Sequence, residues 1–221
     1  YYDLTSKRWI SRGDSINQII SRFNLADNLI HKIYKDPKKR LWLATAKNGL
    51  AQWDRFSKQY RYHINDPSNP YSISNNHVYD MAAGAGGGLW VSTFGGGLNH
   101  FDPALNRFTY ISNTPNLLEG ICTDHNQRVW MIGNGQLHQY DPTEKQTRTY
   151  AFEEIESAGG VKGDIYRDQQ GYLYAGGKGF YVRFHPDSIE STVSHPEVKL
   201  TDFTIFDNSF LHLKTDENQI W

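Results

Sequence analysis

Apolar residues along this chain fall in short runs of about four to six. Each run is closed by glycine, asparagine, aspartate or proline, and no stretch keeps an apolar stripe at helical period for three turns. Residues 76–111 show the pattern most fully. Runs at Val78–Ala82, Leu89–Thr93, Leu98–Phe101 and Arg107–Ile111 alternate with Gly84-Ala-Gly-Gly-Gly88, Phe94-Gly-Gly-Gly97 and Asp102-Pro-Ala-Leu-Asn106. Glycine supplies positive φ for hairpin turns, and a proline after the third run cannot donate to a ladder. The segment therefore reads as four antiparallel strands.

The same unit recurs four times. The rings Trp42, Trp90, Trp130 and Tyr174 stand 48, 40 and 44 residues apart, each inside the second run of its unit. Asp36, Gly84, Asp124 and Asp168 each precede their ring by six residues, and Asp54, Asp102, Asp141 and His185 follow it by 12, 12, 11 and 11. A period of 40–48 residues with four strands per unit predicts a β-propeller blade, with a large ring on the second strand packing against the next blade. The expected architecture is all-β: an arc of about four four-stranded blades at 28–62, 76–111, 116–150 and 160–186, together making residues 1–189. Residues 1–10 read as the outer strand of a preceding blade. Residues 190–221 lack the Leu-Trp and Gly-Leu signals needed to close a ring and read as a linker leading into another domain. The arc is thus expected to belong to a larger propeller.

Composition narrows the function. Lys plus Arg number 23 and Asp plus Glu number 24, so no excess of basic charge favours a phosphate backbone, and no nucleic-acid partner is expected. No apolar run approaches the ~20 residues of a membrane helix. The chain opens on Tyr1-Tyr2-Asp3 without a leader, as an excised piece of a longer polypeptide would. The single cysteine, Cys122, permits neither an internal disulfide nor a multi-cysteine metal site and reads as a buried small hydrophobe.

The order Asn-x-Val/Ile-x-x-Ile/Met, then Asp-x-x-Gly-x-Leu-Trp-Val/Leu-x-Thr, then Gly-Gly-Leu-x-x-Phe-Asp-Pro resembles the two-component regulator propeller repeat. Residues 76–102 carry it most closely and 28–62 nearly so. The third and fourth units depart, with Gly133 and Gly177 in place of Thr and Tyr174 in place of Trp. Pro196–Asn208 is similar to the opening of the β-sandwich that follows the last propeller in this family. The resemblance implies the periplasmic sensor region of a Bacteroidetes hybrid histidine kinase that governs polysaccharide use. It also implies a second copy as homodimer partner, and membrane attachment only through segments beyond this chain.

Chemistry is sparse. Nine histidines offer no His-Glu-x-x-His or His-x-His spacing, so no metal or other cofactor is expected. His100, His125 and His138 read as structural or surface residues, whereas His31 and His77 lie near the start of innermost strands, where side chains can face a central channel. Asp36, Asp124 and Asp168 recur at one hairpin position and read as turn-forming. The acidic run Glu153–Glu156 reads as a solvated loop. Catalysis in a propeller would call for a non-repeating charged cluster in the channel, and none is apparent, so the chain is not expected to be an enzyme. Binding of a glycan or of a periplasmic partner is favoured instead, with signalling expected through the following β-sandwich to a histidine kinase beyond this chain. Loops that enter the inner strands, and those joining second and third strands, should gather at one face. They carry Lys47, Tyr71, Asn76, His77, Phe94 and Lys178 as candidate ligand contacts, with Asn48, Asn75, Asn116, Glu119, Asn134 and Lys162 nearby. Rings, amides and lysines beside glycine suit an oligosaccharide. Alternatives are a scaffold or dimerisation module without a small ligand, and a propeller polysaccharide lyase or glycosidase.

Overall fold

The computed structural model describes residues 29–36, 38–54 and 59–189, together with the strand backbones at 2–3, 8–9, 204–205 and 208–209. The strands in chain order are β1 (Tyr2–Asp3), β2 (Arg8–Trp9), β3 (Ile30–Lys35), β4 (Leu41–Thr45), β5 (Leu50–Asp54) and β6 (Gln59–His63). There follow β7 (Val78–Ala83), β8 (Leu89–Thr93), β9 (Gly97–Asp102), β10 (Arg107–Ile111), β11 (Leu118–Thr123), β12 (Val129–Gly133), β13 (Gln136–Asp141) and β14 (Gln146–Tyr150). The last are β15 (Val161–Arg167), β16 (Leu173–Gly177), β17 (Tyr181–Phe184), β18 (Thr204–Ile205) and β19 (Asn208–Ser209). Three antiparallel four-stranded blades form in sequence order, β3–β6, β7–β10 and β11–β14, and a fourth shows three strands, β15–β17, among the described residues. Glu153–Ser157 forms one short helix, α1, where a loop was expected. Its Glu156 Oε1 accepts a hydrogen bond from Gln136 Nε2.

At the start of the chain, β1 and β2 pair with Tyr2 opposite Trp9. That separation of seven residues equals Trp53 to Tyr60 and Phe101 to Phe108 in the third-to-fourth strand hairpins of blades one and two. Residues 192–221 form a separate unit in which β18 pairs with β19, and the β-sandwich expected there otherwise lies outside the described residues.

A single sheet has no interior, so each blade buries its faces against its neighbours. Trp42, Ala44 and Leu50 of blade one pack with Ile73, Val78, Met81, Leu89, Val91, Phe101 and Phe108 of blade two. Ala82, Trp90 and Leu98 pack with Leu118, Ile121, Val129, Met131 and Tyr140 of blade three. Trp130, Ile132, Leu137 and Tyr150 pack with Val161, Ile165, Leu173 and Ala175 of blade four. The corresponding face of blade four shows Tyr166 and Tyr181 at 64% and 70% exposure, with the Arg183 guanidinium 3.5 Å above the Tyr172 ring.

The ring anchors are held by the aspartates six residues before them. Trp42 Nε1 donates to Asp36 Oδ2 at 3.1 Å and Trp130 Nε1 to Asp124 Oδ2 at 2.9 Å. The other oxygen of each carboxylate closes the hairpin by accepting the Arg40 or Arg128 amide, and the same arginine's Nε adds an ion pair. In blade four, Tyr174 donates its hydroxyl to Asp168 at 3.0 Å. Burial opposes ionisation of Asp36, yet the Trp42 and Arg40 donors hold it below the usual carboxylate range. Turn chemistry also explains the Gly133 departure. Thr45 and Thr93 hydroxyls donate to Gly49 and Gly97 carbonyls across longer turns. The β12–β13 connection instead uses two residues, Asn134 and Gly135, at φ 53° and 79°, a hairpin geometry that needs no such threonine.

One polar group is stranded in this packing. His63 lies among Trp42, Phe101 and Phe108, with its Nε2 buried and unbonded. Burial first, then the nearby Arg61 charge, pushes its pKa down to about 4.

Two outcomes are expected. Asp124→Ala strands the Trp130 indole and Arg128 and lowers unfolding free energy by about 2 kcal/mol, whereas Asp168→Ala at its half-buried site costs clearly less; urea denaturation of both variants compares them. Because the folded state holds His63 neutral below its unfolded pKa, stability is complete above about pH 6.5 and falls as the pH drops toward 4. Melting temperature followed over that range should decline less steeply in His63→Phe than in the parent chain.

Candidate functional site

Each inner strand breaks its apolar pattern at the same place. Register slips between Ile30 and Lys32, Val78 and Asp80, Leu118 and Ile121, and Val161 and Ile165. A bulge leaves extra residues unpaired and re-aims their side chains. Here those residues are His31, Tyr79, Glu119-Gly120 and Lys162-Gly163-Asp164. The apolar residues flanking the slips, Val78, Leu118, Ile121, Val161 and Ile165, enter the cores between blades. The bulged residues are left along the inner edge.

There they meet across blades. His31 Nε2 lies 3.0 Å from His77 Nε2, with the two rings within 15° of parallel. Such an N–H···N contact needs one nitrogen protonated and the other bare, so the pair cannot carry two charges without breaking it. Burial, and secondarily His77, hold His31 below the usual imidazole range. Tyr79 continues the stack 4.8 Å from His31, and Phe94 lies 5.2 Å from His77. The Asn75 side chain fixes this corner by accepting the His77 amide, and the Phe94 amide donates to the His77 carbonyl.

A charged cluster lies on the same strands. Lys32 Nζ is 3.1 Å from Asp80 and 3.6 Å from Asp164. Asp80 is fully buried, and burial pushes its carboxyl above the usual range, with Lys32 and the Ile121 and Met81 amides working against that shift. Glu119 accepts the Gly163 amide. These bonds link β3 to β7 and β15, β7 to β11, and β11 to β15. The close approach leaves no room at Gly120, where a Cβ would stand 2.5 Å from the Gly163 carbonyl. The expectation that the inner strands hold no non-repeating charged cluster is thereby corrected. Its members are paired with one another or with backbone, so the cluster ties inner strands together.

Of the candidate contacts, His77 and Phe94 lie side by side, joined by His31. Lys47 and Lys178 are exposed in the second-to-third strand turns of blades one and four. Tyr71 stands apart: its carbonyl accepts the Phe108 amide of outer strand β10, and Arg107 covers its ring at 4.9 Å. Asn76 is occupied in joining blades, its side chain accepting the Asn65 amide and its carbonyl the Gly49 amide. The Asn116 carbonyl likewise accepts Gly95 and Gly97. His138 is a packing residue bonded to Thr149 and the Gly133 carbonyl, and His125 is bridged to Asp187. Burial pushes the half-buried Cys122 thiol up to about 11. Among the described residues no three His, Cys, Asp or Glu side chains converge on a metal position. Sequence reading missed Lys32, Tyr79, Asp80 and Asp164. Part of their signal was present: Lys32, Asp80 and Asp164 each stand ten residues before the anchor ring, with Gly120 at that position in the third unit.

Residues 24–47 match the family model described as two component regulator propeller. In fold the chain is similar to the extracellular domain of a protein described as hybrid two component system BT3049 from B. thetaiotaomicron (TM-score 0.63, 21% identity, 72% of this chain and 22% of that one). It is also similar to the extracellular domain of BT4673 from the same organism (TM-score 0.60, 20% identity, 73% and 23%). Virginiamycin B lyase from Staphylococcus aureus shares the architecture (TM-score 0.53, 12% identity, 73% and 57%). The chain thus spans less than a quarter of the first two. None of the curated proteins compared with it matches in sequence. The fold is a β-propeller, and the stretch that matches the family model contains β3 and β4 of its first blade.

Lys32→Met leaves the Asp80 carboxylate buried without its cation and should cost about 2–3 kcal/mol at pH 7. The loss should shrink in acid, where Asp80 takes up a proton, and Lys32→Met with Asp80→Asn should recover most of it at neutral pH. Guanidinium unfolding of the three chains at pH 7 and pH 4.5 reads both effects.

Proposed function

We propose that this chain is part of the extracytoplasmic, periplasmic sensor region of a two-component signalling protein. In this reading the inner rim around His31, His77, Tyr79 and Phe94 receives an oligosaccharide. The carrying observation is the match of residues 24–47 to the two component regulator propeller, in a chain that repeats this unit four times. The extracellular domains that share the fold support an extracytoplasmic setting. Among the described residues no helix is long and apolar enough to cross a membrane.

The rim has chemistry for a sugar. Aromatic rings offer apolar faces and the imidazoles offer donors and acceptors, while Lys47 and Lys178 are exposed cations in the second-to-third strand turns of blades one and four. Signalling would then pass to a histidine kinase outside this chain, by a shift in the arrangement of a homodimer. A ligand moves such an equilibrium only by its differential affinity for the two states.

A second reading, an assembly scaffold without a small ligand, is favoured by the inner-edge ion pairs, which satisfy one another. The lyase reading draws only on shared architecture. Asp80, whose carboxyl burial raises above the usual range, is fully buried rather than facing a cleft.

Titration calorimetry of the complete sensor region with plant and host oligosaccharides is expected to give saturable heat with one sugar class. His77→Ala or Phe94→Ala should weaken it at least tenfold. Heat unchanged in both variants would move the site elsewhere, and absence of heat from the whole panel would favour the scaffold.

A further inference from the structure

The repeat departs from itself in one place that the rim does not explain. In blades one and three the first hairpin is plugged by an Asp–Arg pair against the anchor ring: Asp36 with Arg40, and Asp124 with Arg128. Blade two has Gly84 and Gly88 at these positions, and Ala82 where blade one has Tyr34. Trp90 therefore has no carboxylate six residues before it.

The glycine hairpin of blade two borders two grooves. Between blades one and two, the groove lined by Tyr34, Asp36, Arg40 and Trp42 together with Gly84 and Gly88 holds about 70 Å³. Between blades two and three, the groove holding Trp90 has about 540 Å³, within the range of small-molecule sites. On blade three, Arg128 and His125 reach across to Asp187, at 2.7 Å and 3.1 Å. The larger groove is the one in which His100, rather than an Asp–Arg pair, stands beside the anchor ring.

What lines the groove is specific too. Trp90 and Tyr140 form its floor, edge to face at 71°. His100 stands against the hairpin, so close that a Cβ on Gly88 would lie 2.6 Å from its Nε2. Thr109, Asn126 and Gln127 stand at the exposed rim. Burial holds His100 below the usual imidazole range, with Asp102 acting weakly in the other direction, so at neutral pH it is an uncharged donor and acceptor. No Asp, Glu, Lys or Arg lines the groove.

We propose that the groove between the second and third blades binds an uncharged, hydroxylated ring, a neutral monosaccharide unit, over Trp90, Tyr140 and His100. Rings below and neutral hydroxyl, amide and imidazole groups around them match a molecule with one apolar face and many hydroxyls. A carboxylate or ammonium would be desolvated there without a partner, at a cost in affinity. The groove opens beside the first hairpins, at the opposite end of the strands from the His31–His77 rim, so the two sites are separable.

The test uses saturation-transfer NMR and calorimetry on this chain, with the methyl glycosides of glucose, galactose, mannose and N-acetylglucosamine, and methyl glucuronide as the charged control. At least one neutral glycoside should bind saturably and at least tenfold more tightly than the glucuronide. A chain carrying Gly84→Asp, Gly88→Arg and His100→Gln rebuilds the plug of blades one and three and should lose that binding at least tenfold. Thr109→Trp, at an exposed rim position, should do the same and decides the matter if the triple variant does not fold. Loss of binding in Thr109→Trp assigns it to this groove and not to the rim, which lies at the other end of the strands. Saturable binding by none of the neutral glycosides, equal binding of the glucuronide, or binding unchanged in Thr109→Trp would each overturn the proposal.

Discussion

In two of the four blades the anchor ring is held by a carboxylate that reaches six residues along its own chain to an aromatic N–H. In blades one and three the Asp36–Trp42 and Asp124–Trp130 bonds do two things at once. One oxygen closes the hairpin between the first two strands; the other fixes the indole on the face that the next blade must cover. The core of a propeller lies between sheets rather than within any one of them. A ring that could swing freely would leave each blade without a defined neighbour. Three layers of apolar packing are present, each shared by two consecutive blades, and the middle one forms around Trp90 without such a carboxylate.

Once the outer and middle strands are held in this way, the inner strands are forced close together. Their backbones approach until only glycine fits at position 120. A register slip in each inner strand releases the crowding and turns polar side chains out of the ladder. Charges set there are partly desolvated, which explains why Lys32, Asp80 and Asp164 answer one another and why Asp80 also takes two backbone amides. The same slips bring His31 and Tyr79 beside His77 and Phe94. Structure and candidate function therefore share one device: the feature that relieves packing also supplies a polar, ring-lined edge.

Departures from the repeat are where the blades differ in what they can do. Gly133 is absorbed by a tighter turn, and Tyr174 keeps its aspartate through a hydroxyl in place of an indole. At Gly84 and Gly88 the side chains are missing and His100 stands against the hairpin instead, beside the groove that holds Trp90. A repeat lets such cases be sorted, because neighbouring blades show what the same position looks like when it is filled.

Strands, turns and the blade period were legible in the chain alone, because they depend on residues within about twelve positions of one another: glycine and proline in the turns, the ring six after its aspartate. The candidate rim was legible only in part. His77 and Phe94 could be placed on one face from their position in the unit, but Tyr71 belongs to an outer strand and Asn76 is spent on a blade junction, facts that local pattern does not carry. Lys32, Asp80 and Asp164 looked like interruptions of apolar strands until the fold brought them together. His31 and His77 are 46 residues apart, and Lys32 meets Asp164 across two intervening blades. The sequence by itself determined what each blade is. Which polar side chains face one another, and which groove stays open, was decided only when the blades packed, because those contacts depend on register slips and on neighbours that the local chain does not specify.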